Sequence, residues 1–223
     1  MVRPTREDAR DTAREILDAS LDLFAAHGFD GASVRSIARA VGVRESTLYH
    51  HFASKEAILA ALLHEYGYEG KRERLAALDL STLSPARMKE ATRRLVREIA
   101  TEWAGPRERK FARLILSEGP RQKPGSPADP VAMLMRGRAQ ITLIFAALIE
   151  RGLLRRFNPE ALALGFMGPL AALRVMHLVM PPGEVDLPAF LAQVDRQLDF
   201  FFEATSPEPG SVAATEPTPG RPQ

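Results

Sequence analysis

The run STLYHHFASKEAI at positions 46–58 sets two adjacent histidines between a tyrosine and a lysine. The chain has 223 residues with only 5 His and no Cys, so this is its densest imidazole chemistry. Three uses are conceivable: a metal site, an acid–base pair, or a grip on an external partner. Neighbouring residues of a helix diverge by about 100°, whereas a two-histidine metal site uses positions i and i+4. Those positions hold Ser46 and Ser54 for His50, and Thr47 and Lys55 for His51. None is a good ligand, and a lysine beside a cation is repulsive. No nucleophile, base and orienting group fall into series nearby. The expectation is therefore no metal, no cofactor and no catalysis, with the histidines serving as contacts to a partner.

The elements that must carry them read as helices throughout. Sustained period-2 alternation is absent, and apolar residues recur at helical spacing. A first helix starts near Thr5, whose T-x-x-D spacing to Asp8 is a cap signal. It runs through Ile16, Leu17, Leu21 and Phe24 and stops at Gly28. Ser33 caps a short second helix carrying Val34, Ile37, Ala38 and Val41, which Gly42 ends. A third spans roughly Arg44 to Phe52, and Ser54 caps a fourth expected to reach about Leu78. Two short helices joined through AVGV match a helix-turn-helix, although a plain helical corner has the same spacing. Around the third helix Leu48 and Phe52 point inward, while Ser46 and His50 face out between Thr47 and Tyr49. Hydroxyls, imidazoles and a phenol on an exposed helix suit phosphates and base edges.

Charge agrees locally rather than globally. The net charge is +2, and residues 1–60 hold 8 Lys/Arg against 9 Asp/Glu. Between Ser33 and Lys55, however, Arg35, Arg39, Arg44 and Lys55 face Glu45 alone, which is the kind of patch an electrostatic footprint needs. The cysteine-free composition excludes disulfides and thiolate chemistry. The charged start is no signal peptide. The longest uncharged apolar run, 161–173, falls short of a membrane span of about 20 residues. A soluble, cytoplasmic chain with no membrane partner is expected.

Residues 12–59 resemble the N-terminal domain of TetR-family transcriptional regulators, most specifically through GVRESTLYHHFASKE (42–56). The resemblance implies that Thr47, Tyr49, His51 and Lys55 hold DNA phosphates and that Arg35 reaches the groove. It puts Glu45, Ser46 and His50 at the base edges. Ser33 and Arg44 complete the expected contact set. The amides opening the fourth helix, beside Lys55, read as an anion site. Arg44 departs from the family's small capping residue, leaving the third helix without a side-chain cap. Glu45 serves either the helix dipole or a cytosine amino group.

Downstream, the pattern gives helices over 85–103, 107–118 and 131–154, with a Pro- and Gly-rich loop at 119–130. Asn158-Pro159 opens another helix, which Pro169 should kink, and a last one closes at Phe200–Phe202. The expected organisation is all-α: a helix-turn-helix domain (1–54, the motif itself 33–52), a helical regulatory domain (55–204), and a disordered tail (205–223). The resemblance places dimerisation on the last two helices. Phe166, Leu170, Leu173, Arg174, His177, Leu191, Val194, Leu198 and Phe202 form its stripes, although the same stripes could be buried within one subunit. Trp103, Phe111, Leu114, Ile115, Met133, Phe145 and Phe166 are candidates to line an apolar effector pocket, or ordinary core. The function so implied is a homodimeric, ligand-responsive DNA-binding regulator, a repressor that leaves operator DNA when a small apolar or aromatic molecule binds. The competing class is a helical carrier or enzyme with an incidental helix-turn-helix.

Overall fold

The structure, a computed structural model, describes residues 6–67, 71, 74, 84–118, 129–180 and 183–207; for 6–10, 130 and 133 only the backbone is described. The described residues are all-α with no strand: α1 (Arg6–Gly31), α2 (Val34–Val41), α3 (Glu45–His51), α4 (Lys55–Tyr66), α5 (Pro85–Trp103), α6 (Pro106–Glu118), α7 (Pro130–Glu150), α8 (Pro159–Arg174) and α9 (Leu187–Thr205). The Thr5 cap, the 119–128 loop and the tail beyond 207 lie outside the described residues.

Local cap chemistry sets most of the boundaries. Gly28 sits at φ 73°, ψ 168°, a region open essentially to glycine, and turns the chain out of α1. Ser33 and Ser36 form a reciprocal capping box that starts α2, and Gly42 ends it in the left-handed conformation. Ser54, Ser84, Asn158 and Asp186 each accept a backbone N–H at the start of their helix. Three expectations change. α4 stops at Tyr66, where Gly67 follows, rather than running to Leu78. α8 passes through Pro169 unbroken and instead changes register at a π-helical turn, Val175–Val179. α9 continues to Thr205, whose side chain is buried and bonds back to the Phe201 carbonyl at 2.7 Å.

Two cores result. The first joins Ile16, Leu21, Phe24, Phe29, Ile37, Leu48, Ile58 and Leu62 from α1 to α4, and Phe111 and Leu114 of α6 close it. The second packs Met88, Val96, Phe145, Leu170, Leu178, Phe190, Val194, Leu198 and Phe201 from α5 and α7 to α9. α6 lies along α1 and meets the π turn with its other side, so it belongs to both cores.

This partition sets where the candidate pocket residues lie. Phe111, Leu114 and Ile115 seal the first core, while Phe145 and Phe166 pack with Phe201, ring centroids 5.1–5.5 Å apart, in the second. Trp103 is half-buried against the second core under the Arg174 guanidinium, 4.9 Å away. The Met133 side chain lies outside the described residues. These side chains were selected for apolarity, and apolar groups in helical bundles fill cores first. The candidate dimer stripes likewise pack within the chain. Leu170, Val194, Leu198 and Phe202 are buried inside the chain, and Phe166, Leu173 and Leu191 pack against them. His177 lies 5.9 Å from the Phe190 ring, and Arg174 pairs with Glu108.

At the junction of the cores Tyr66 stacks on Phe111, centroids 5.2 Å apart. Burial, with a smaller push from Glu65 and opposed by Arg14, raises its phenol to about 12. An unfolded tyrosine titrates near 10, so the folded state holds this proton more tightly. The stabilisation is complete below about pH 10 and is lost as pH climbs through the folded value. Wild type is therefore expected to lose stability relative to Tyr66→Phe between about pH 9 and 12. Parallel denaturant titrations read the difference, and a flat one would mean that burial does not act on the phenol.

Candidate nucleic-acid interface

α3 is a seven-residue helix held by one anchor. Leu48 is fully buried in the first core, and Phe52 packs on the same cluster from the C-cap. Truncating Leu48 would leave a cavity under the helix, so the remaining side chains are set by this residue. The Gly42 amide bonds back to the Ala38 and Arg39 carbonyls, and the Val43 amide to Ala38 at 3.0 Å, which fixes the angle between α2 and α3. Arg44 occupies the N-cap without a side-chain bond, and only its carbonyl is used, accepting from Thr47 and Leu48. Its guanidinium is exposed and unengaged by the helix start.

The outward face matches the sequence reading. Arg35, Arg44, Glu45, Ser46, Tyr49 and His50 are exposed, with Tyr49 52% accessible; Thr47 and His51 are half-buried along the edge. Arg39, in the last turn of α2 and also exposed, adds a cation that the sequence reading counted only as charge. The two imidazoles do touch, edge to face with centroids 5.8 Å apart. No grouping of three His, Asp or Glu suited to a metal occurs among the described residues.

Two site residues have partners within the chain. The Ser33 hydroxyl is committed to its capping box, accepting from the Ser36 amide at 3.0 Å, so it fixes α2 rather than presenting a free donor. The Lys55 ammonium donates to the Phe29 carbonyl at 2.7 Å and the Ala32 carbonyl at 3.0 Å, and lies 4.3 Å from the Phe29 ring centroid. A lysine at a helix N-terminus needs compensation. Here two carbonyls and a π face supply it, where the sequence reading supplied a phosphate. The amides beside it are also answered within the chain. Ser54 accepts from Ala57, and Glu56 is held below the ordinary carboxylate range first by its own backbone N–H and then by the Ser54 hydroxyl.

This geometry can present one short polar helix to a duplex. Residues 16–69 match the family of bacterial regulatory proteins described as the tetR family. This is a TetR-family domain. Over 63 residues the chain is 36% identical to the transcriptional regulator UidR of Escherichia coli K12, covering 28% of this chain and 32% of that protein. It is 38% identical over 65 residues to an HTH-type transcriptional repressor of Mycobacterium tuberculosis, covering 29% and 32%. The chain thus spans about a third of the length of the curated relatives it matches.

Solved structures extend the likeness in fold. A TetR family transcriptional regulator from Pseudomonas syringae pv. tomato aligns over 90% of this chain and 98% of its own at a TM-score of 0.68 and 21% identity. The flavonoid-responsive regulator FrrA aligns over 90% and 100% at 0.62 and 22%. At these identities the helical domain behind the TetR-family domain shares the fold and nothing finer.

Among the recesses of the described residues, one of about 400 Å³ lies where α4, α5 and α6 meet, lined by Glu65, Tyr66, Lys71, Arg74, Glu102 and Glu108 with their neighbours. None of the apolar residues proposed from sequence lines it. α8 together with its π turn forms a 21-residue apolar helix, Pro159–Val179, long and apolar enough by composition to cross a membrane. Only 28% of its apolar window is buried in the chain. It packs on α7 and α9, and its outer face is apolar: Leu164, Met176 and Met180 are 60%, 57% and 72% exposed.

Proposed function

We propose that the protein is a homodimeric, cytoplasmic DNA-binding transcriptional regulator that places α3 in the major groove of an operator and leaves it when a small effector binds. The observation that carries this reading is the outward face of α3, polar along its whole length and fixed from beneath by Leu48. Thr47, Tyr49 and His51 serve the phosphates. Ser46 and His50, with Glu45 and Arg44 at the helix start, serve the base edges, and Arg35 and Arg39 approach from α2. Lys55 acts indirectly by holding the turn before α2. One such unit makes few base contacts, so a two-fold pair reading two half-sites is the expected arrangement. The outer face of α8 supports that pairing. Repression is the activity carried in the name of one relative. The recess between α4, α5 and α6 is lined by charges of both signs, which favours an effector bearing polar groups over a bare hydrocarbon.

Selection from a random duplex pool, followed by titration of the selected site at rising salt, tests the proposal. Each phosphate contact releases counterions, so the logarithm of affinity should fall linearly with that of salt. Tyr49→Ala together with Arg44→Ala should weaken binding at least about 30-fold, each lost contact costing about 1–3 kcal/mol, while leaving the thermal midpoint unchanged. A pool that yields no enriched site, or variants that bind as wild type does, would overturn the proposal.

A further inference from the structure

α6 is bonded on two sides. Along α1 its pairings keep a constant register: Arg107 with Asp18, Lys110 with Asp22, and Glu118 with the amide of Phe29. The sequence separations are 89, 88 and 89 residues, so the two helices run parallel over some three turns. Toward α8 it offers a second row. Glu108 accepts from Arg174 at 2.7 Å, Arg109 donates to the carbonyls of Leu178 and Gly183 at 2.8 and 3.0 Å, and Arg113 donates to that of Val179 at 3.1 Å. These acceptors lie on or just past the π turn, where a helix end leaves carbonyls free and favours cations.

The end nearest the DNA-binding unit matters most. Glu118 is buried, its carboxylate lies against Gly28, and its Oε2 stands 3.4 Å from the Phe29 amide nitrogen. The carbonyl of the same Phe29 accepts from Lys55 at 2.7 Å. One residue of the turn is thus gripped through its N–H by α6 and through its C=O by α4. That turn runs directly into Ser33, the cap of α2. The geometry points to Glu118 as a positioning residue for the recognition unit, and to α6 as a strut that carries the setting of the α8 π turn to the turn preceding α2 and α3. This rests on the DNA-binding reading above, and it adds a route to α3 through α1 and α2, beside the chain path along α4. The distances establish contiguity; coupling requires that the two ends respond to each other.

A double-mutant cycle in the full-length protein tests this coupling. Glu118→Met fills the space without an acceptor, Glu118→Gln restores one, and Arg113→Ala releases the far end. With the selected duplex, each of Arg113→Ala and Glu118→Met is expected to weaken binding by about fivefold. The double variant should bind no more weakly than Glu118→Met alone, and Glu118→Gln should come back to within about twofold of wild type. Losses that multiply in the double variant would overturn the strut. A second arm needs no DNA: Arg113→Ala should speed amide exchange across 29–37 in wild type and leave it unchanged in the Glu118→Met background. Unaltered exchange in wild type on releasing Arg113 would overturn the strut whether or not the protein binds a duplex. A duplex pool with no enriched site would remove the DNA-binding reading while leaving the exchange arm decisive. Should Glu118→Met fail to fold, exchange in Arg113→Ala alone decides between a strut and two independent contacts.

Discussion

Glu108→Ala should destabilise the protein by about 3–5 kcal/mol, the cost of stranding buried charge by removing its partner. Glu108 stands between two cations. Oε1 lies 2.8 Å from the Lys71 ammonium and Oε2 lies 2.7 Å from the Arg174 guanidinium. Lys71 is 7% exposed and also donates to the Tyr66 carbonyl at 3.1 Å, near the end of α4. Arg174 lies over the Trp103 ring, and its Nε is buried without a partner among the described residues. Burial pulls the Arg174 guanidinium below its ordinary value, and Glu108 is what pulls it back. Removing the carboxylate therefore leaves two largely buried cations without the acceptor they share. Glu108→Gln, which keeps volume and one acceptor, should lose less. Replacing Lys71, Glu108 and Arg174 together with apolar residues of similar size should be nearly neutral, since then no charge is stranded. Denaturant midpoints at an unchanged m-value measure all three. A loss below about 1 kcal/mol for Glu108→Ala would mean the pair behaves as a solvated surface bridge.

The position of this junction explains why it is charged at all. α6 seals the first core with Phe111 and Leu114 and meets the second through Glu108, Arg109 and Arg113. An apolar seam would hold the two cores as firmly but would tolerate sliding, because dispersion has little directional preference. Ion pairs and arginine–carbonyl bonds fix one register. A helix that must report the position of one core to the other needs that register more than it needs extra stability.

What could be read from the sequence follows the range of the physics involved. Ser33, Gly42, Ser54 and Asn158 were identifiable because a cap is decided within four residues. So was the outward face of α3, where Leu48 and His50 are separated by helical rotation alone. Lys55 was not, because its partners are backbone carbonyls 26 and 23 residues away, and carbonyls leave no trace in a residue pattern. Glu118 met its amide across 89 residues and carried no signal at all. The end of α4 was legible in Gly67 but was overridden by apolar spacing on the preceding turns. On α8 and α9 the pattern was degenerate. Both helices are apolar on more than one side, so spacing named two stripes, and only packing against α5 and α7 chose Leu170, Val194 and Leu198 for the interior.

That choice leaves the outer face of α8 for the proposed second copy, and Leu164→Arg with Met176→Arg, which sets like charges against each other, should convert the protein to a monomer. Ala161, Leu164, Gly165, Gly168, Ala172 and Met176 recur at three- and four-residue steps on the outer side of α8, and Phe200 stands 68% exposed on α9. A Cβ added at Gly165 or Gly168 would meet nothing within 4 Å, so the middle of this stripe is open enough for another helix to approach closely. Apolar surface of this extent on one face is what association removes from water. The two substitutions touch no packed side chain, so the single chain should keep its stability to within about 0.5 kcal/mol. Charges placed at Leu164 and Met176 on both copies would be desolvated in any such pairing, which makes the exchange repulsive rather than merely weakening. Operator affinity should then fall by about 100-fold or more, since the second half-site no longer profits from the effective concentration that the first provides. Sedimentation equilibrium reads the mass and duplex titration the affinity. A double variant that stays dimeric, or a monomer that binds the full site as tightly as wild type, would place the pairing surface elsewhere on the chain.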